Sequence, residues 1–309
     1  MRDRSILANV KKTYTSDTEG IIPSKAADHH VDVCADIFQE ALTTAKIKKT
    51  DIDIIAFSQS PGIGHMLRIG AMFARSLAVT LNKPLVGVNH CIAHLEIGRL
   101  LTKAKDPILL YASGANTQVI AYEAGKYRIF GETLDIGIGN LLDSFARTLG
   151  IGFPGGPAIE LLAKKGTHYI ELPYVVKGMD VSFGGLLTHL EKKFAAKEYA
   201  KEDLCYSCQE TVFSMLIEVT ERALAHTGKT DVLLGGGVAC NKRLQEMAKI
   251  MCKERNAQCF IPENQYLVDN GAMIAWLGKL MFDAGITTPI GKSQIEPYVR
   301  TDDVFVKWR

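Results

Sequence analysis

Two histidines four residues apart, His90 and His94, stand in Asn89-His90-Cys91-Ile92-Ala93-His94-Leu95-Glu96, directly after the short apolar run 84–88. On a helix, imidazoles at i and i+4 share one face, where both can reach a single metal ion. With 8 histidines in 309 residues, chance supplies roughly 0.2 such pairs per chain, so the spacing suggests a metal site without establishing one. A third donor stands far away in sequence, in Val268-Asp269-Asn270-Gly271. By itself, an Asp there is more often the cap of the helix that follows. Beside the histidines it would complete two imidazoles and one carboxylate, a set that suits Fe(II) or Zn(II) and leaves positions open for substrate. The same histidines raise a metallopeptidase reading. The zincin signature, however, needs Glu immediately after the first His, and Cys91 is there instead.

Glycine-bearing turns form a second chemical signal. Ser113-Gly114-Ala115-Asn116 follows an apolar strand, and Gly235-Gly236-Gly237 follows another and precedes a helix beginning near Asn241. Such turns bring backbone N–H groups close to phosphate oxygens, and a helix N-terminus adds partial positive charge. With Asp135, Asp143, Glu160 and Asn241 nearby, the two turns read as walls of a nucleotide cleft, with ordinary tight turns as the alternative. There is no Walker A sequence and no kinase catalytic loop.

These groups need a scaffold. At 47% apolar and 23% charged residues, the chain can bury a large core, most readily in two domains. No window resembles a membrane span or a signal peptide, so a cytoplasmic protein is expected, without membrane contact. The seven scattered cysteines fit reduced thiols, and Cys205 and Cys208 read as buried structural ones. A net charge of +2 gives no strong overall attraction to nucleic acid, so a phosphate-rich partner would need a local basic patch.

The β-rich runs are 6–14, 53–57, 85–88, 108–111, 117–122, 126–130 and 232–234; helical periodicity covers 23–45, 66–81, 139–149, 157–165, 204–226, 242–255 and 271–284, besides the helix opened by His90. The alternation predicts α/β layers. Boundaries fall near 103–107 and at 285. They divide the chain into a unit over 1–106 with the His-x-x-x-His motif, a unit over 107–284 with the glycine turns and Asp269, and a tail over 285–309 returning to the first. Asp28-His29-His30 could hold a metal but reads rather as a solvated face, and Lys164-Lys165, Lys192-Lys193 and Lys242-Arg243, which could grip phosphate, as solvated helix ends or faces; Arg147 and Lys177 are better candidates for RNA or partner contact because they fall inside recognisable motifs.

Beyond the histidine segment, the chain carries Ser113-Gly114-Ala115-Asn116-Thr117-Gln118-Val119-Ile120, Tyr127-Arg128-Ile129-Phe130-Gly131-Glu132-Thr133-Leu134-Asp135, Leu172-Pro173-Tyr174-Val175-Val176-Lys177-Gly178-Met179-Asp180 and Val268-Asp269-Asn270-Gly271-Ala272-Met273-Ile274-Ala275, in that order. Together these resemble the tRNA threonylcarbamoyladenosine transferase family, in the archaeal and eukaryotic branch that works in the KEOPS complex. The resemblance covers nearly the whole chain, through Arg300-Thr301-Asp302-Asp303-Val304. It implies the two-subdomain α/β fold of actin, sugar kinases and heat-shock-protein ATPases.

It further implies that His90, His94 and Asp269 hold one divalent metal ion, iron or zinc, with Tyr111 at or completing the shell. The segment Tyr111-Ala112-Ser113-Gly114-Ala115 would bind the substrate, and Asp143, Gly156, Glu160 and Asn241 its adenosine part. The substrate implied is threonylcarbamoyl-adenylate, made by a separate synthase, and the acceptor is the adenosine beside the anticodon in tRNAs reading codons that begin with A. Implied partners are tRNA and KEOPS subunits, including a small protein-kinase-like ATPase and a small dimerising subunit, in the cytoplasm, and in the nucleus for a eukaryotic chain. The alternatives are an impaired nucleotide-binding scaffold of the same complex and the metallopeptidase.

The chain departs from the family pattern in three places. About two dozen residues that would precede Ser5, with two strands and a Glu-Gly-Thr or Glu-Gly-Ser turn, are expected to lie outside a truncated sequence, leaving the first sheet open and the cleft short of backbone donors. Ala115 stands where the family has Gly; its methyl either keeps φ below zero or crowds a phosphate. Gly184 stands where the family has Ser and loses a hydroxyl.

Overall fold

The apolar runs pair into two main sheets, and the helix that carries His90 and His94 lies between them. The computed structural model describes residues 1, 3–16 and 21–309. Helix α1 (Pro23–Ala45) starts with Pro in its first turn, where a missing N–H costs nothing, and ends on Lys46 in the left-handed region, whose N–H returns to the Leu42 and Thr43 carbonyls. Strand β1 (Ile55–Ser60), helix α2 (Gly64–Leu81) and strand β2 (Leu85–Asn89) follow. β1 and β2 pair in parallel from Ile55 opposite Leu85 to Ser58 opposite Val88. Every residue of β2 is buried, as befits a parallel strand covered on both faces.

Helix α3 (His90–Leu101) begins at the next residue, and Cys91 through Gly98 are all buried. A helix buried all round belongs inside a core. Its one deeply buried acid, Glu96, accepts from the Tyr127 hydroxyl and from Arg99 Nη1 at 2.9 and 2.8 Å, so the charge is compensated.

The second sheet holds β3 (Ile108–Ala112), β4 (Thr117–Glu123), β5 (Lys126–Glu132), β8 (Asp231–Gly235) and β9 (Gln258–Phe260), in the order β5-β4-β3-β8-β9. β3, β4 and β5 form an antiparallel meander, whereas β8 runs parallel to β3, with Tyr111 opposite Gly235, and β9 runs parallel to β8. Helices α4 (Ile138–Thr148), α5 (Gly156–Ala163), α6 (Gly184–Ala196), α7 (Lys201–Thr227) and α8 (Lys242–Glu254), with the small hairpin β6 (Val176–Lys177) and β7 (Asp180–Val181), cover it. Cys205 and Cys208 are fully buried in α7. Short α9 (Asn264–Leu267) and then α10 (Gly271–Asp283) complete the α-helices among the described residues.

Strand and helix edges fall within a few residues of those expected, with particular exceptions. Segment 6–14 forms no strand. Its β-rich composition favours extended backbone, but a ladder needs a partner edge; here Ile6 packs on the core beside α3, and Asn9 accepts from the Ala272 N–H at 3.4 Å. α6, β6, β7 and β9 are elements the periodicity did not mark. α10, grouped by sequence with the second unit, packs its Met273, Trp276, Leu277 and Met281 into the core shared with β2 and α3. The tail touches both parts: the Thr288 hydroxyl accepts from Gly87 N–H, while Arg309 lies over the Tyr122 ring. No described helix is long and apolar enough to cross a membrane.

Candidate functional site

Asn89 ends β2 and caps α3, its Oδ1 accepting from Ile92 N–H at 3.1 Å. The cap fixes the first turn of α3 at the C-terminal edge of the sheet, so His90 and His94 project together from one face. Opposite them, the turn between α9 and α10 delivers Asp269. The cap of α10 is Asn270, whose Oδ1 accepts from Met273 N–H at 3.0 Å. Capping therefore falls to the neighbour, and Asp269 is released toward the histidines: both Nε2 atoms stand 3.1 Å from its Oδ1.

The donor atoms of His90, His94 and Asp269 all lie within 4.8 Å of one another, the one His/Cys/Asp/Glu group of this kind among the described residues. The His94 side chain has no solvent exposure, and its Nδ1 is buried without a partner. Burial pushes the His94 pKa down and keeps the ring neutral. Burial also opposes charge on His90, but Asp269 outweighs it and raises that pKa. The Asp269 side chain is exposed, and the two imidazoles hold its carboxyl well below the usual range. Two imidazole nitrogens converging on one carboxylate fit a divalent ion of the iron or zinc kind. The Tyr111 ring is stacked at a tilt beside His94, centroids 4.8 Å apart, and 6.5 Å from His90. Tyr111 is buried, which raises its pKa well above the usual phenol value.

The turn after β3 adjoins this cluster. Asn116 Nδ2 reaches Cys91 Sγ in the first turn of α3 at 3.9 Å. Ser113 closes the turn, donating from both N–H and Oγ to the Asn116 carbonyl at 2.9 and 3.0 Å. Ala112 is buried at the strand end, while Gly114 and Ala115 are exposed. Ala115 keeps φ below zero, since it is not among the described residues with positive φ. Behind the turn, Gly139 and Asn140 N–H donate to the Ser113 and Gly114 carbonyls at 3.0 and 2.9 Å. A Cβ on Gly137 would sit 2.3 Å from the Gly114 oxygen, so only Gly permits that approach. The second glycine turn abuts the first: Gly236, at φ +91°, would place a Cβ 2.3 Å from the Ala112 oxygen.

Asp143 lies on α4, Gly156 and Glu160 on α5, and Asn241 at the start of α8. Asp143 Oδ1 accepts from Gly155 N–H at 2.8 Å, just before Gly156 opens α5. Burial raises the Asp143 pKa. Glu160 Oε1 accepts from Lys242 N–H at 3.3 Å and pairs with Lys164. Asn241 caps α8 through Arg243 N–H at 2.8 Å, and its amide donates to the buried Gln209 at 2.9 Å. Gln209 and the cap Asn89 were not singled out by sequence reading. For Asn89, an Asn immediately before a helix is itself the signal; for Gln209, nothing local marks it. Asp135, read as a cleft acid, is instead fully engaged by protein donors.

Several cations are already committed. Arg243 pairs with Glu210 and Glu246, and Lys164 with Glu160. Lys177 lies exposed at the β6–β7 turn. His29 meets the Lys12 carbonyl at 3.2 Å and joins no metal-ligand group among the described residues.

The residue after His90, where a zincin has its glutamate base, is Cys91, a thiol and not a carboxylate. Burial pushes the Cys91 thiol up to about 12 and that of Cys205 to about 12. Both are therefore protonated at neutral pH and poor nucleophiles. In the native protein at pH 7.5, Cys91, Cys205 and Cys208 should alkylate with iodoacetamide at least about tenfold more slowly than partly exposed Cys34, read by peptide mass spectrometry. Equal rates would refute the burial argument.

Three comparisons bear on this site. The sequence model described as tRNA N6-adenosine threonylcarbamoyltransferase matches residues 5–276. A protein of that name from Thermococcus gammatolerans is 55% identical over 306 residues, covering 99% of this chain and 94% of its own. The probable bifunctional tRNA threonylcarbamoyladenosine biosynthesis protein of Methanosarcina barkeri is 53% identical over 309 residues, 99% of this chain and 56% of that one. Among solved structures, HypF of T. kodakarensis superposes with a TM-score of 0.65 at 16% identity over 81% of this chain and 43% of its own, a likeness of fold alone. The architecture is the two-subdomain α/β type of actin, sugar kinases and heat-shock-protein ATPases.

Proposed function

The chain belongs to the tRNA N6-adenosine threonylcarbamoyltransferase family, and from that membership we propose that it transfers a threonylcarbamoyl group from threonylcarbamoyl-adenylate to the exocyclic amine of the adenosine next to the anticodon. The acceptor tRNAs are those that read codons beginning with A. The observation that carries this reading is the convergence of His90, His94 and Asp269 beside the Ser113 turn.

Chemically the reaction is acyl transfer. The adenosine amine attacks the carbamoyl carbon, the bond from that carbon to the adenylate oxygen breaks, AMP leaves with the electron pair, and the amine loses one proton. His90, His94 and Asp269 are suited to hold one divalent metal ion, iron or zinc, with Tyr111 packed against the shell; when bound, such an ion supplies a Lewis acid and a template for phosphate or carboxylate oxygens. The exposed Gly114–Ala115 turn offers backbone donors to the phosphate side of the donor substrate. Asp143, Gly156, Glu160 and Asn241 form the wall proposed for its adenosine. We assign no protein nucleophile, in keeping with the protonated Cys91.

The same reading places the protein in the cytoplasm, supplied by a separate synthase and working with KEOPS subunits, among them a small protein-kinase-like ATPase and a small dimerising subunit. Incorporation of labelled threonine into tRNA tests it, with purified synthase and accessory subunits present. The expected result is product that depends on this chain and falls at least about 100-fold after chelation, returning with added metal. Metal-loaded protein that gives no product with all subunits present would overturn the assignment.

A further inference from the structure

The turn between β5 and α4 has one acidic residue, Asp135, with both oxygens engaged. Oδ1 accepts from Ile136 N–H at 2.7 Å and from Phe183 N–H at 2.9 Å; Oδ2 accepts from the Ser182 hydroxyl at 2.6 Å and from Gly184 N–H at 2.8 Å. The carboxylate thus occupies the N-terminus of the 13-residue helix α6, where free N–H groups would otherwise attract an anion. Although partial burial opposes ionisation, these hydrogen bonds bring its pKa down to about 2, so it is charged throughout the working range.

What this carboxylate holds in place is the floor of the Ser113 turn. Thr133 N–H donates to the Thr117 carbonyl at 3.0 Å, the Thr133 hydroxyl to Ile136 O at 2.6 Å, and Leu134 N–H to Val181 O at 2.8 Å. Two residues beyond Asp135, Gly137 approaches the Gly114 and Ala115 carbonyls so closely that a Cβ would lie 2.3 and 2.5 Å from their oxygens. Gly139 and Asn140 then donate to the Ser113 and Gly114 carbonyls. Both carbonyls are thereby turned into the protein, which turns the amides of the exposed Gly114–Ala115 stretch the other way.

We infer that Asp135 is a positioning residue for the donor substrate: by pinning the 133–138 turn to α6 it sets the height and tilt of the Ser113–Ala115 backbone. The inference rests on the reading that this backbone contacts the donor. Asp135 has no lone pair left for substrate and acts only through Gly137, Gly139 and Asn140.

Asp135→Asn tests this in the assembled system, since an amide keeps the shape but presents an NH₂ group to at least one of the four donors. The expected result is a rise of about tenfold in KM for threonylcarbamoyl-adenylate, with kcat within about threefold and KM for tRNA and metal content unchanged, the pattern of lost uniform binding. A merely structural role would lower melting temperature and scale activity down without a selective change in the donor KM. That outcome, or an unchanged donor KM, overturns the proposal. Gly114→Ala serves as the companion variant, because a Cβ there meets only Asn140 Oδ1 at 3.7 Å and the fold should tolerate it. If Gly114→Ala raises the donor KM and Asp135→Asn does not, Asp135 loses its role while the turn keeps its own. If Gly114→Ala changes nothing, the donor does not rest on this turn.

Discussion

His94→Ala should strip the protein of bound metal and reduce threonylcarbamoyl transfer by at least about 100-fold, a larger loss than His90→Ala. The asymmetry follows from position. The His94 side chain has no exposure, whereas that of His90 is 18% exposed. At position 90 a water can take the vacated place; at 94 the side chain is enclosed beside Tyr111 and the end of β8, where the Gly235 Cβ position lies 3.7 Å from His94 Cβ. Asp269 would also lose one of the two partners that keep it ionised. Metal content by mass spectrometry and the labelled-threonine assay read both effects, with circular dichroism as the control for folding. A His94→Ala protein that keeps stoichiometric metal would exclude His94 as a ligand.

The largest effect on stability is expected at Gly236, where valine should cost more than about 3 kcal/mol. Two penalties coincide. A residue with a Cβ at φ +91° is strained by about 1–2 kcal/mol, and more if β-branched. The Cβ would also fall 2.3 Å from the Ala112 oxygen, 2.6 Å from its carbonyl carbon and 3.0 Å from Ser113 N. These are backbone atoms at the end of the central strand β3 and the start of its turn, and they cannot rotate away as a side chain can. Urea unfolding of Gly236→Ala and Gly236→Val would show a graded loss, valine the worse; a valine variant within about 1 kcal/mol of the parent would contradict the close approach.

Much of this was legible in the sequence because it is local. The i, i+4 histidines, the Pro at the start of α1 and the burial of Cys205 and Cys208 follow from residue type and spacing. Asp269 was legible only as one of two possibilities, since its own residue type fits a cap as well as a ligand; the neighbouring Asn270 decides the matter in three dimensions. The strand expected at 6–14 fails for a related reason. Propensity describes one chain segment, whereas a ladder belongs to two. The partnership of Gln209 with Asn241, 32 positions apart, and of Asp135 with Ser182, 47 apart, leaves no periodic mark at all. Short β6, β7 and β9 offer too few residues for an alternation to register.

The back-to-back contact of the Ser113 and Gly236 turns has a thermodynamic consequence. Neither turn can shift without displacing the other, so their conformational entropy is lost when the chain folds and not when a ligand arrives. A ligand lying across both would meet a surface already in its bound shape. Its discrimination from a near-miss analogue would then show in how slowly it leaves, with the rate of capture nearly constant between them.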